Sequence, residues 1–229
     1  MSDIFALFEP LDRAGPGDTE SLCWALDVAG TGPDATVLDA GCGTGADLAT
    51  LLAAVPRGRV VAVDSAPAFV ARVRARYPRV EAHVADMADP PGGPFDLIWS
   101  AGAVYNLGVA RALSSWRAHL KPCGRVAFSD LCWRVPDPPE PARNFFAAEG
   151  VTPIGAADLA ALVSQSGWRV LGARWLGAAG WAAYYDPLEE RLATFSGDPQ
   201  LTDGFRAEIA LWREHAGSYD YRLIVAEPA

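Results

Sequence analysis

Short apolar runs alternate with stretches of helical spacing along most of this chain. Thr36 to Asp39, Arg59 to Asp64, Val80 to Ala85, Phe95 to Ser100 and Arg125 to Ser129 each read as a strand. Between them, Ala46 to Ala54, the segment opened by Ala66-Pro67 and running to Tyr77, and Val109 to Leu120 read as helices. Pro78 and the run Lys121-Pro122-Cys123-Gly124 stop the second and third of these. Upstream, Gly15-Pro16-Gly17 breaks the chain, and Asp18 caps a helix that carries Leu22, Trp24, Leu26 and Val28 and ends near Gly30. Downstream, a helix from Ala156 to Ser166 leads into a strand from Trp168 to Trp175, and Tyr221 to Ala226 is the last strand. Strands alternating with helices of this length predict an α/β, doubly wound, mostly parallel sheet.

Two stretches fall outside that alternation. Pro136 to Pro141 reads as a stiff loop inside one domain. Residues 176–219 are too many for a plain connection and hold Trp181, Tyr184, Tyr185, Phe195, Phe205 and Trp212. They predict helices lying over the ligand edge of the sheet. The division expected is therefore a single domain over 1–229, with a helical lid at 1–30 and cap insertions at 133–156 and 176–219.

Composition narrows the classes of partner. About half the residues are apolar, enough for a substantial core. The formal charge is −9 and no long basic run occurs, which argues against a surface that tracks phosphates and so against a nucleic-acid partner. Cys23, Cys42, Cys123 and Cys132 show no C-x-x-C spacing, so they read as reduced thiols in a cytoplasmic protein without a metal site. No apolar run approaches the length of a membrane span, and Asp3, Glu9 and Asp12 near the start do not fit a secretory leader.

The chemistry concentrates at the ends of the predicted strands. Asp39, Gly41, Gly43 and Gly45 follow the first one, and a strand that stops at glycines and restarts as a helix builds a nucleotide cradle. Gly41, Gly43 and Ala46 satisfy the loose dinucleotide fingerprint, so the spacing alone leaves two cofactors open. A carboxylate at Asp39 repels a pyrophosphate but suits a cation. Asp64, with Ser65 beside it, ends the second strand about twenty residues on, where an acid accepts from ribose hydroxyls. Asp86-Met87 follows the third strand and offers an acceptor and a soft apolar face. Ser100 to Gly108 follows the fourth and carries Tyr105 and Asn106, which either orient a substrate or serve as a buried aromatic and a turn residue. Asp130 after the fifth strand and His215 near the end of the long aromatic segment are the candidate general bases.

Together these residues resemble the class I S-adenosylmethionine-dependent methyltransferases over nearly the whole chain, with Asp39 to Gly45 in the place of their D-x-G-x-G-x-G motif. Closer still is a bacterial branch of small-molecule methyltransferases, many known only by their fold. Its segments read here as Arg13-Ala14-Gly15-Pro16-Gly17, Trp99 through Gly108, Leu120 through Gly124 with Ser129 and Trp133, and Trp181 through Leu188. Two positions depart from the branch pattern, Ala101 and Asp130, where relatives carry Glu. The first loses a candidate base or amine-binding carboxylate, and the second is one methylene shorter.

The resemblance implies a Rossmann-like sheet of seven strands with the last one antiparallel and a helical cap. It implies S-adenosylmethionine as cofactor, S-adenosylhomocysteine as product, no metal, and a small apolar, aromatic or cationic acceptor as partner. Asp39, Gly41, Gly43, Gly45, Asp64, Ser65, Asp86, Met87 and Ser100 become the expected cofactor residues. Arg13, Tyr105, Asn106, Trp133, Trp181 and Tyr185 become the expected substrate residues. Two rival functions stand beside methyl transfer: a cofactor-binding regulator without turnover, for which Ala101 speaks, and an NAD-dependent oxidoreductase, which Asp39 and Asp86 disfavour.

Overall fold

The computed structural model describes residues 3–229; Met1 and Ser2, the first residues of the expected lid, lie outside the described residues. The helices are α1 (Asp3–Phe8), α2 (Thr19–Val28), α3 (Leu48–Ala54), α4 (Pro67–Arg76), α5 (Val109–Trp116), α6 (Glu140–Ala148), α7 (Ala156–Gln165), α8 (Ala178–Leu192) and α9 (Pro199–His215). The strands are β1 (Thr36–Ala40), β2 (Arg59–Asp64), β3 (Val80–Val84), β4 (Phe95–Ser100), β5 (Leu120–Trp133), β6 (Ile154–Gly155), β7 (Trp168–Trp175) and β8 (Tyr219–Pro228).

Seven strands follow one another in the order β3-β2-β1-β4-β5-β8-β7, and the two-residue β6 pairs with the end of β5. The first five are parallel, and β8 runs antiparallel to both β5 and β7. This is the doubly wound, Rossmann-like sheet with a reversed final strand that the sequence led us to expect, with β6 added. The order reverses between β1 and β4, and at such a switch point diverging connections leave a crevice at the strands' carboxyl ends.

Each inner strand is buried on both faces, which explains its near-continuous apolar run. Val37, Val60, Ala62, Leu97 and Val225 pack on one face beneath Leu22 and Leu26 of α2, Leu48 and Leu51 of α3, and Val70 and Val73 of α4. Leu38, Val61, Val63, Ile98, Val126 and Phe128 pack on the other beneath Val109, Leu113 and Trp116 of α5 and Leu159 and Val163 of α7. A third apolar cluster sits above the carboxyl edge. There Leu7 and Phe8 of α1, Phe146 of α6, Trp181, Tyr184, Tyr185 and Leu188 of α8 and Ile209 of α9 meet Tyr219 of β8.

Three local readings are corrected. The strand expected to start at Arg125 starts at Leu120, which pairs with Phe95; a register shift between Phe95 and Leu97 absorbs the Pro-Cys-Gly segment. Gly124 is needed there, because a Cβ would lie 2.7 Å from the Phe95 carbonyl oxygen. The stiff loop expected up to Pro141 gives way to α6 at Glu140, since proline is tolerated in a helix's first turn. Finally, α3 begins at Leu48 and not Ala46. Its N-cap position, Asp47, makes no capping hydrogen bond, because its carboxylate is spent elsewhere.

Candidate active site

The crevice at the switch point is a cavity of about 740 Å³, within the range of pockets that hold small-molecule ligands. The glycine loop forms its floor. Gly41 and Gly43 take φ of 82° and 50°, and the Gly41 and Cys42 amides donate to the Val63 carbonyl, which folds the loop over the end of β2. A Cβ at Gly41 would stand 2.5 Å from that of Ala103, so the loop's close approach to the β4 connection requires glycine.

Acids ring this floor. Asp39, only 4% exposed, lines the cavity together with Asp47, Asp64 and Asp86. Burial pushes the Asp39 carboxyl well above the usual carboxylate range, and the charges of Asp47 and Asp64 push it further; Arg13 opposes them. Asp64 accepts from the Gly43 amide at 2.8 Å through one oxygen and from the Ala66 amide at 2.8 Å through the other. It therefore ties the glycine loop to the start of α4 and keeps a lone pair on each oxygen for a ligand. Asp86 accepts from the Ala88 amide, and the Met87 carbonyl accepts from Trp116 Nε1. Ser65 and Met87 complete this side of the wall.

The N-terminal segment closes the other side. Ile4, Phe5 and Phe8 of α1 and Arg13 to Pro16 stand on the cavity wall. Arg13 forms an ion pair with Asp47, both side chains largely buried, and the second Asp47 oxygen accepts from Trp99 Nε1 at 2.8 Å. Thr44 Oγ1 donates to the Asp12 carbonyl, and Asp12 also pairs with Arg76 of α4. Sequence reasoning missed Asp47 altogether. Its signal was an acid at the restart of the helix, and only the fold shows that it holds Arg13.

The structure gathers most of the expected residues on the cavity: Arg13, Asp39, Gly41, Gly43, Asp64, Ser65, Asp86, Met87, Tyr105 and Asn106. Tyr105 stands at the rim, 55% exposed, and Asn106 Nδ2 donates back to the Ala103 carbonyl, as a turn residue does. Others lie elsewhere. Gly45 has φ of 86° and faces Val73, Leu48 and Tyr77, so it is there for helix packing. Ser100 is fully buried and its hydroxyl donates to the Ala40 carbonyl, joining β4 to β1.

Trp133, Trp181 and Tyr185 were expected on the substrate wall but belong to the third apolar cluster. Trp181 stacks on Tyr185 and Trp212 and donates through Nε1 to the buried Asp220, and the Tyr185 hydroxyl donates to Glu208 at 2.8 Å. Trp133 lies edge-on to Phe146 and Tyr219. Large apolar area is better covered inside the cap than at a water-filled wall. His215 ends α9 away from the cavity wall, and its carbonyl accepts from the Ser218 amide and hydroxyl. Asp130 lies near the carboxyl end of β5, and burial pushes its carboxyl up to about 6. Among the described residues no group of three or more His, Cys, Asp or Glu is placed to hold a metal ion. No described helix is long and apolar enough to cross a membrane.

Residues 37–124, from β1 into β5, match a family model described as a methyltransferase domain. A trans-aconitate 2-methyltransferase from an Azoarcus species is 39% identical over 95 residues, covering 41% of this chain and 38% of that protein. An uncharacterised transposon protein from Streptomyces fradiae is 35% identical over 115 residues, 47% of this chain and 33% of that one. The chain thus spans only about a third of the length of these curated relatives. In overall shape it is similar to a SAM-dependent methyltransferase from Geobacter sulfurreducens in complex with S-adenosyl-L-homocysteine. That likeness has a TM-score of 0.82 at 18% identity and covers 100% of this chain and 99% of the other.

Residues 37–124 thus carry a segment similar to a methyltransferase domain, on a fold similar to that of a solved SAM-dependent methyltransferase.

Proposed function

We propose that the protein transfers a methyl group from S-adenosylmethionine to a small-molecule acceptor, releasing S-adenosylhomocysteine. The observation that carries this reading is the ring of carboxyls around a glycine floor, with Asp39 buried at its centre. A donor with a sulfonium, an ammonium and no phosphate is attracted by such a ring. A pyrophosphate would meet like charge at every turn. The solved Geobacter neighbour was crystallised with the product form of this cofactor, which supports the same reading.

In this reading Gly41 and Gly43 let the backbone approach the methionyl portion while Asp39 faces its cationic groups. The spare lone pairs of Asp64 accept from ribose, and Asp86 with Met87 meets the adenine. Gly45 and Ser100 support this floor from behind. The sulfonium already activates the methyl group, so the protein's work is to hold nucleophile, carbon and sulfur in line and to keep water out. The rim of Phe8, Tyr105 and Leu107 is suited to an apolar or aromatic part of the acceptor. A cytoplasmic protein acting on a free small molecule fits this picture.

Titration calorimetry with S-adenosylmethionine, S-adenosylhomocysteine and NAD tests the proposal. Both adenosyl ligands should bind and NAD should not. NAD binding with neither adenosyl ligand would overturn it. Asp64→Asn puts an N–H₂ against one of two backbone amides and should weaken adenosyl binding by about 1–3 kcal/mol. Unchanged affinity would remove Asp64 from the site. A protein that binds both ligands but gives no methylated product over a broad acceptor panel would be the regulator without turnover.

A further inference from the structure

Among the described residues three large apolar side chains stand exposed: Ile4, Val84 and Tyr105, at 41%, 48% and 55%. All three line the cavity described above. They come from α1, from the end of β3 and from the turn 104–106 after β4, so exposed apolar area gathers at one ligand site and is not scattered over the surface. The same lining carries the rings of Phe5, Phe8 and Phe69. Phe5 of α1 meets Phe69 of α4 edge to face, with centroids 5.3 Å apart and planes at 74°. Such a lining fits a flat aromatic guest, which can stack on some rings and take the edges of others.

Charge on the lining is one-sided. Asp39, Asp47, Asp64 and Asp86 face one cation, Arg13, and Arg13 is already paired with Asp47. An anionic guest would meet uncompensated like charge. The acids are also occupied. In the donor reading Asp39, Asp64 and Asp86 serve the methionyl, ribose and adenine parts, and Asp47 spends its oxygens on Arg13 and Trp99. Burial and the charges of Asp39 and Asp64 push the Cys42 thiol far above its usual range, so it stays protonated. Asn106 donates back to the Ala103 carbonyl. Among the described residues no histidine or lysine lines the cavity. The aromatic part of the lining therefore offers contact area but no side chain to take a proton from a nucleophile.

We infer that the acceptor is a flat, uncharged heteroaromatic compound whose methylated atom is a pyridine-type ring nitrogen. The inference rests on the donor reading above. Such a nitrogen keeps its lone pair free at neutral pH and has no proton to lose, so it asks no base of the wall. The alternatives fit less well. A hydroxyl needs a base, an alkylamine arrives protonated, a thiol reacts as the thiolate anion, and a carboxylate is an anion from the start. The ring nitrogen's lone pair forms the new N–C bond as the C–S bond breaks. The bonding pair stays on sulfur, the positive charge passes from sulfur to nitrogen, and no proton moves. The product is an aromatic cation, which the ring of acids and the faces of the lining aromatics stabilise.

The test uses the whole chain saturated with S-adenosylhomocysteine and titrated by calorimetry with isoquinoline, 2-naphthol and 2-naphthoate, which share one shape. Turnover with S-adenosylmethionine is then read by mass. Isoquinoline and 2-naphthol should bind, and 2-naphthoate should bind at least about tenfold more weakly. Only isoquinoline should be methylated, and its single-turnover rate should be the same in H₂O and D₂O. Tyr105→Ala should weaken isoquinoline about tenfold and keep S-adenosylhomocysteine affinity within about twofold. Binding of 2-naphthoate as tightly as isoquinoline would overturn the inference. So would methylation of 2-naphthol in preference to isoquinoline, or unchanged isoquinoline affinity in Tyr105→Ala. Failure of pyridine, isoquinoline and acridine alike to bind, or to be methylated when bound, would overturn it too. Failure of S-adenosylhomocysteine itself to bind would instead strike the donor reading beneath it.

Discussion

Replacing Asp47 by alanine probes how the N-terminal segment is held over the cavity. Asp47 is buried, and its two oxygens serve two different parts of the chain, Arg13 of the strap and Trp99 of β4. Removing it leaves the Arg13 guanidinium in a site where it is only 14% exposed, with no anion opposite. Breaking a buried ion pair from one side costs about 3–5 kcal/mol, chiefly through the charge left behind. For a domain of this size each kcal/mol moves Tm by about 2–4 °C, so Asp47→Ala should melt roughly 6–20 °C below the parent. Because Arg13 to Pro16 form part of the wall, affinity for S-adenosylhomocysteine should fall as well.

The double variant Arg13→Met with Asp47→Leu removes both charges and should be more stable than Asp47→Ala alone, since no unpaired charge remains. Thermal denaturation of the three proteins, with calorimetry for the ligand, measures all of this. A single variant melting within about 2 °C of the parent would refute the reasoning. A double variant that melts no higher than Asp47→Ala would refute it equally.

Two further outcomes follow from the site. Gly41→Ala forces a side chain into a left-handed backbone and against Ala103; the conformation alone costs about 1–2 kcal/mol, and S-adenosylhomocysteine affinity should fall at least about tenfold. Wild-type melting and affinity together would show that the loop does not need its glycine. The Asp130 carboxyl titrates near 6 in the folded protein against 3.8 for a free side chain. The folded state therefore holds this proton more tightly. Its contribution to stability is full below about pH 4 and is lost as pH rises through 6, on the order of 2–3 kcal/mol. Urea unfolding of the parent and Asp130→Asn across pH 4–7 should show the two stabilities diverging by that amount, and parallel curves would contradict a desolvated Asp130.

The sheet was legible in the sequence because each inner strand is a local apolar run and each connection a local helix pattern. The acid-lined side of the cavity was legible for a related reason. Asp39, Asp64 and Asp86 stand at the ends of consecutive strands, and parallel strands bring such ends to one edge whatever covers them.

What covers them depended on contacts between distant segments. Trp133, Trp181 and Tyr185 looked like walls of a substrate pocket, and the same apolar area draws them into the core of the cap. Ser100 and Gly45 sit beside the motif residues in sequence but turn away from the cavity, because strand alternation and helix packing set their direction. The pairing of Arg13 with Asp47, across 34 positions, has no local signature at all. By itself the sequence determined the order of strands and helices, the glycine floor and its acids, since these follow from short-range backbone preferences. Only the tertiary structure decided which aromatics fill the cap and how the N-terminal segment is fastened. Those outcomes depend on which distant surfaces find one another when apolar area leaves water.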